Sequence, residues 1–377
     1  MEQNRSRVGV IDGLRGLAIL AVVFHHLFSS TTSPGWLLLH TPIGTLPIGA
    51  ALSNTWLAVN LFFALSGFVI YLPYALGVRS FRERGDLFTF WRARARRLFP
   101  LFFVVTFVSI FLGSSLYDTE LWKEFLTIIS GLFVFSPSFW MPPQNVVLWS
   151  LGAEIWMSIL FPFAALAFMR WGVLRSTACI FVGSLSVRFV ATWCYPGAFV
   201  VNSFLDRLAD SFAGHFDDFA LGMCIAHLWA KAELDQLRLR GTALFFFGCG
   251  SMWLAMMLWD YEALGFISRQ YTCFFNDIVA LGSFGLIAGA LTASRGWLRP
   301  FLSARPLRAI GVACYSIYVW HFLIQRGVLP FLPNRPLHVA DLPLVIVDLS
   351  VVAAVSFASY RLIERCPLWT KRPSSSL

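Results

Sequence analysis

The chain has 377 residues, 58% of them hydrophobic and only 13% charged, with 38 Phe and 15 Trp. A soluble domain carries about twice that charged fraction, so a soluble enzyme and a disordered chain are both excluded. The net charge of +9 sits in short loops between apolar runs, which assigns it to membrane topology rather than to a nucleic-acid partner.

Apolar runs recur at about 10–30, 56–77, 98–117, 148–170, 173–193, 211–230, 241–260, 272–293, 309–328 and 342–362. Each is close to the roughly 20 residues needed to cross a hydrocarbon layer of about 30 Å. They predict an all-α integral membrane protein of about ten transmembrane helices, one domain over 1–377 with a short tail at 368–377. With the N-terminus inside, Lys123, Arg207, Arg269 and Arg335 are the basic residues of the outer loops, against 22 on the inner side. The positive-inside rule then predicts both termini cytoplasmic, in the inner (plasma) membrane. The stretch 121–147 has an apolar part too short for a span and is ended by Pro137, Pro142 and Pro143, so it is expected as an outer re-entrant or interfacial segment. Six of the seven cysteines lie in or beside apolar runs and no CxxC pair occurs, which predicts neither a disulfide framework nor a metal site. The first run has no small-residue cleavage site, so it is not expected to be removed.

That first run, VGVIDGLRGLAILAVVFHHLFSS, carries Asp12, Arg15, His25 and His26. Each charged group costs about 2.5–3.5 kcal/mol at the centre of a bilayer, so residues of this kind mark function. Eleven residues separate Arg15 from His26, three helical turns plus about 20°, which puts them on one face about 16 Å apart along the axis. His25 points about 100° away. In LWSLGAEIWMSILFP, entering from the outside, Glu154 lies about 9 Å below the outer end and is predicted at the depth of His26. A carboxylate beside an imidazole fixes its tautomer and raises its basicity, so Glu154 is expected to orient His26. YSIYVWHFLI adds Tyr315, Tyr318 and His321, and NLFFALSGFVIYLPY adds Asn60 and Ser66. The pair Ser66–Gly67 also suits a close contact between helices. His215, Asp217 and Asp218 fall near the outer end of their run, where interfacial solvation would explain them. On the inner side, FWRARARRLFPLFF places Arg92, Arg94, Arg96 and Arg97 ahead of Pro100. Such a cluster either anchors topology or holds a polyanion, because guanidinium forks match phosphate oxygens.

These motifs, in this order, resemble the acyltransferase 3 family of integral membrane O-acyltransferases over residues 8–367. The family's Arg followed after ten residues by His corresponds to Arg15 and His26. Its paired arginines before a Leu-x-Pro correspond to Arg94 and Arg97 in RARRLFP, and its WSL-x-x-E to Glu154 in WSLGAE. NLFFALSGFVI, PLRAIGVACYSIYVWHFLI and SYRLIERCPL resemble its remaining signatures. Cys366 is inserted into the closing Glu-Arg-Pro, and His215 stands where an arginine is expected. The resemblance implies that no cofactor is bound and that an acyl-CoA, expected to be acetyl-CoA, serves as co-substrate from the cytoplasmic side. The acceptor would be a carbohydrate or other glycosylated molecule, such as a polysaccharide, lipopolysaccharide or peptidoglycan. His26 and Glu154 would be catalytic, with Arg15, Arg94, Arg97, Ser66, His321 and Tyr315 binding substrate or donor. The ending RPSSSL implies a standalone form without a fused esterase-like domain. A transporter or flippase of a glycan or lipid-linked sugar is the alternative, because intramembrane Arg, His and Glu also mark transport paths; no inverted repeat supports it.

Overall fold

The computed structural model describes residues 2–29, 38–41, 44–47, 53–112, 114–194, 204–293, 296–328, 331 and 341–366. Arg335 and the expected tail at 368–377 lie outside them. The opening run is one 28-residue helix, α1 (Glu2–Ser29). A two-stranded antiparallel hairpin, β1 (Leu38–Thr41) and β2 (Gly44–Pro47), precedes α2 (Ala58–Ala75). Helix α3 (Arg84–Phe111) starts where the Asp86 carboxylate accepts the backbone N–H groups of Arg82 at 2.9 Å and Glu83 at 3.1 Å. Those two bonds hold its pKa below the usual carboxylate range.

Segment 121–147 does not cross. Its helix, α4 (Thr119–Ile129), has 11 residues, about 16 Å of rise against a layer of about 30 Å. Asp118 caps it by accepting the Glu120 N–H at 2.9 Å, and its apolar face packs on α3 and on α5 (Leu148–Trp171). Gly172, at φ +87°, turns the chain from α5 into α6 (Val173–Cys194), a conformation that only glycine adopts without strain. Short α7 (Phe204–Ala209) leads to α8 (Phe212–Ala230), followed by α9 (Gly241–Ala263) and α10 (Phe275–Thr292). Two short helices, α11 (Leu298–Leu302) and α12 (Arg305–Val312), precede α13 (Cys314–Val328) and α14 (Leu342–Ser359), which ends in a π-helical turn over Tyr360–Glu364.

Among the described residues, seven helices are long and apolar enough to cross a membrane, and a bent pair makes eight. The expected ten also counted α3 and α8. The inner half of α3 carries its arginines, which leaves about 14 apolar residues from Leu98 to Phe111. Helix α8 is diluted by His215, Asp217 and Asp218, and it is wrapped by α2, α5, α6 and α10, so protein rather than lipid covers its polar groups. The run expected as one span over 309–328 is two helices, α12 and α13, bent by 75°. Gly311 lies at the bend, and a Cβ there would stand 1.7 Å from the Asp12 carbonyl oxygen of α1. Helices α2 and α8 approach equally closely: a Cβ on Gly67 would meet the Phe219 carbonyl oxygen at 2.0 Å, and one on Gly222 that of Ala64 at 1.8 Å. Buried Phe161 and Phe219 fill the core beside this crossing.

Candidate active site

Three arginines converge from two helices. Arg94 and Arg97, one turn apart on α3, meet Arg15 of α1 around a cavity of about 100 Å³, lined also by Ser66 of α2, Glu154 of α5, and Tyr315 and Tyr318 of α13. The neighbours Ser66 and Gly67 divide the two roles that the sequence left open, since Gly67 makes the helix contact and Ser66 faces the cavity. Ser66 Oγ donates to Glu154 Oε1 at 2.5 Å, and the Arg94 guanidinium donates to the same oxygen. Arg94 Nε also donates to Ser158 Oγ at 3.2 Å, one turn further along α5. Arg94 is therefore braced at two points. Arg15 differs, because its buried Nε has no hydrogen-bond partner among the described residues. Tyr315 is fixed by donating to the Leu98 carbonyl at 2.7 Å, and the Tyr318 and Ser150 hydroxyls lie 2.6 Å apart. Three guanidinium groups against one carboxylate leave a positive excess suited to an anionic ligand. A second cavity of about 410 Å³ shares Arg15 and Arg97 with the first and adds Asp12, Arg96, Tyr360, Glu364 and Arg365.

The histidines form a separate cluster beyond Tyr318. The His321 ring lies 5.7 Å from the Tyr318 ring and 5.2 Å from that of His26, between centroids. Phe322 and His25 also contact His26, at 5.0 and 4.8 Å. His321 Nδ1 stands 2.7 Å from the Tyr318 carbonyl, a contact that requires the proton on Nδ1. Its Nε2 is then an acceptor, buried and without a hydrogen-bond partner.

The expected Glu154–His26 partnership is corrected here. Glu154 is engaged by Ser66 and Arg94, whereas the ring neighbours of His26 come from α13 and its own helix. Helical rise predicts depth along each axis, but not which helix stands beside which. His215, Asp217 and Asp218 are not interfacial either, for each is at most 2% exposed. Arg188 of α6 donates to Asp217 at 2.7 Å, to Asp277 of α10 at 2.8 Å and to the Cys273 carbonyl at 3.1 Å. Asp218 accepts from Asn60 at 2.8 Å. The guanidinium that the family pattern puts near His215 thus arrives from another helix, and it also donates to the Gly214 carbonyl. A second group escaped notice in the sequence: Gln325, one turn beyond His321, donates to Asp348 at 3.3 Å and to the Val23 carbonyl of α1 at 3.2 Å. The only sign of it was one carboxylate inside the apolar run 342–362.

The pairing of Arg15 with Arg94 and Arg97, and of His26 with His321, repeats in space the motifs met in the sequence, and a family described as an acyltransferase domain matches residues 8–361. The chain belongs to the acyltransferase 3 family. The chain is 24% identical over 372 residues to the peptidoglycan O-acetyltransferase OatA of Listeria monocytogenes, an alignment covering 94% of the chain and 55% of that relative. It is 24% identical over 378 residues to the O-acetyltransferase OatA of Staphylococcus aureus, covering 94% and 56%. The chain thus spans about half the length of these curated relatives. No solved structure is significantly similar to it.

Proposed function

We propose that the protein is a membrane O-acetyltransferase that moves an acetyl group from acetyl-CoA, entering on the cytoplasmic side, to a hydroxyl of a glycan on the outer side. The observation that carries this reading is the continuity from an arginine-lined cavity, through Tyr318, to the His321–His26 pair. Both termini are cytoplasmic in this reading, and the membrane is the plasma membrane. Arg15 and Arg97 bind donor phosphates, while Arg94, held by Glu154 and Ser158, lines the passage of the donor.

His26 is the general base. A sugar hydroxyl, with a pKa far above 7, gives its proton to the imidazole as its oxygen attacks the thioester carbonyl carbon, a service worth typically 10²- to 10⁴-fold. The C–S bond then breaks, and the imidazolium returns the proton to the departing thiolate. His321, whose ring lies 5.2 Å from that of His26, packs against the base and fixes its orientation. Glu154 acts through Arg94 rather than through His26. The names of the relatives make peptidoglycan the first acceptor to test, ahead of lipopolysaccharide or another polysaccharide.

The test is purified protein with acetyl-labelled CoA and glycan fragments. Alkali-labile label on the glycan supports the enzyme. Glycan movement across proteoliposomes without any transfer of label would replace it with a transporter.

A further inference from the structure

Four arginines line a groove that the reaction above does not use. Arg305 and Arg308 come from α12, and Arg361 and Arg365 from the π-helical turn that ends α14 and the residue that caps it; the groove has a volume of about 370 Å³. All four are exposed, and among the described residues no carboxylate lines the groove with them. Topological anchoring alone would leave such charges spread over the inner loops, whereas these converge on one concavity within the roughly 300–1,000 Å³ typical of ligand sites. The floor is aromatic, formed by Phe357 and Tyr360, and the Arg365 guanidinium sits 5.4 Å from the Tyr360 ring centroid. The π turn and its cap bring Tyr360, Arg361 and Arg365 to this wall together, and such turns are frequent at functional sites.

The groove is also linked to the reaction cavity through shared lining residues. It shares Val312, Tyr360 and Arg365 with the second cavity, which in turn shares Arg15 and Arg97 with the first. Along this path the lining changes. The outer groove has four guanidinium groups and no acid, and the second cavity has four against Asp12 and Glu364. The innermost cavity is smaller and sets three guanidinium groups against Glu154. A ligand that fits this gradient has a multiply charged aromatic head and a long, uncharged arm.

We infer that the Arg305–Arg308–Arg361–Arg365 groove seats the phosphorylated nucleotide end of the donor, with its base against Tyr360, its pyrophosphate turned toward Arg15 and Arg97, and its uncharged arm running on to the cavity at Glu154. This rests on the reading that the donor is an acyl-CoA. The guanidinium forks take the phosphate oxygens in pairs, and the aromatic floor takes the base. An anionic lipid headgroup offers the same phosphate chemistry without a base or an arm.

The test uses the full chain in neutral detergent, with CoA and adenosine 3′,5′-bisphosphate as probes. Wild type is expected to bind both. Arg305→Gln with Arg308→Gln, or Arg361→Gln with Arg365→Gln, is expected to weaken the bisphosphate by roughly tenfold or more per pair. The preference in kcat/KM for acetyl-CoA over S-acetyl-pantetheine is expected to fall by a similar factor. Arg-to-Lys versions of both pairs keep the charge and should show an intermediate loss, which separates a phosphate fork from an anchor. A monodisperse variant that binds the bisphosphate as wild type does would overturn the inference. So would bisphosphate-silent wild type whose activity depends on these arginines only in vesicles rich in anionic lipid, since that assigns the groove to lipid. Wild type that binds neither CoA nor the bisphosphate overturns the acyl-CoA reading itself.

Discussion

Arg94 and Glu154 meet across the cavity at the centre of the bundle, where the guanidinium donates to the carboxylate oxygen that also accepts the Ser66 hydroxyl at 2.5 Å. The contact joins α2, α3 and α5 at one oxygen atom. Glu154→Gln keeps the shape and removes the charge, leaving Arg94 half-buried and uncompensated. Transfer is expected to fall steeply, and a thermal-unfolding cycle with Arg94→Gln should give a coupling energy of about 0.5–3 kcal/mol. Additive single effects would mean that the pair does not act as a unit.

The histidine cluster gives a graded series. His26→Ala should abolish acetyl transfer while CoA still binds, because the base is lost and the arginine cavity is untouched. His321→Ala should lower the turnover rate with little change in donor affinity, since it leaves His26 in place but frees its ring. His25→Ala should be milder than either. Rates with labelled donor, measured alongside CoA affinity, decide the order. Equal turnover in wild type and His26→Ala would remove His26 from the mechanism.

The Arg188 network should dominate local stability. Arg188→Gln leaves the Asp217 and Asp277 carboxylates without their shared cation, and breaking a buried pair in this way costs about 3–5 kcal/mol. A large fall in the unfolding temperature is expected in detergent. Adding Asp217→Asn and Asp277→Asn to the same chain should recover part of it, because the stranded charges are then gone.

Close packing of α2 on α8 predicts a contrast between glycines. Gly222→Ala forces a methyl group onto the Ala64 carbonyl oxygen, where the Cβ would stand 1.8 Å away, and should lose monodisperse protein on gel filtration. Gly250→Ala on α9 meets nothing within 4 Å and should be neutral or slightly stabilising, since alanine is favoured over glycine in a helix by up to about 1 kcal/mol. Two equally well-behaved variants would argue against the crossing.

Topology has its own test. Ser80 is exposed in the loop between α2 and α3, and a Ser80→Cys variant with the exposed cysteines replaced should react with impermeant thiol reagents only after the cytoplasmic side is opened. Labelling in intact cells would invert the bundle and with it the direction of transfer.

Much of this protein is written in its amino-acid order. Apolar run length determined the helical membrane class, because about 20 residues at 1.5 Å each match the thickness of a bilayer. The Arg15–His26 spacing determined a shared helix face, and the motif order determined the family. These are properties of a single helix or of a linear pattern, and periodicity reports them directly. The partners of each charged group were decided only in three dimensions. Glu154 and His26 were matched by depth, yet the packing of α5 against α2 and α3 gave Glu154 to Arg94, and the packing of α1 against α13 gave His26 to His321. The same limit hid Arg188, whose two aspartates lie 29 and 89 residues away on other helices. It also hid the break at Gly311, since no proline marks it and only the backbone of α1 calls for a residue without a side chain there. Rise and period describe where a residue stands along its own axis; azimuth and neighbour are settled by how side-chain volumes and close backbone contacts fit the helices together.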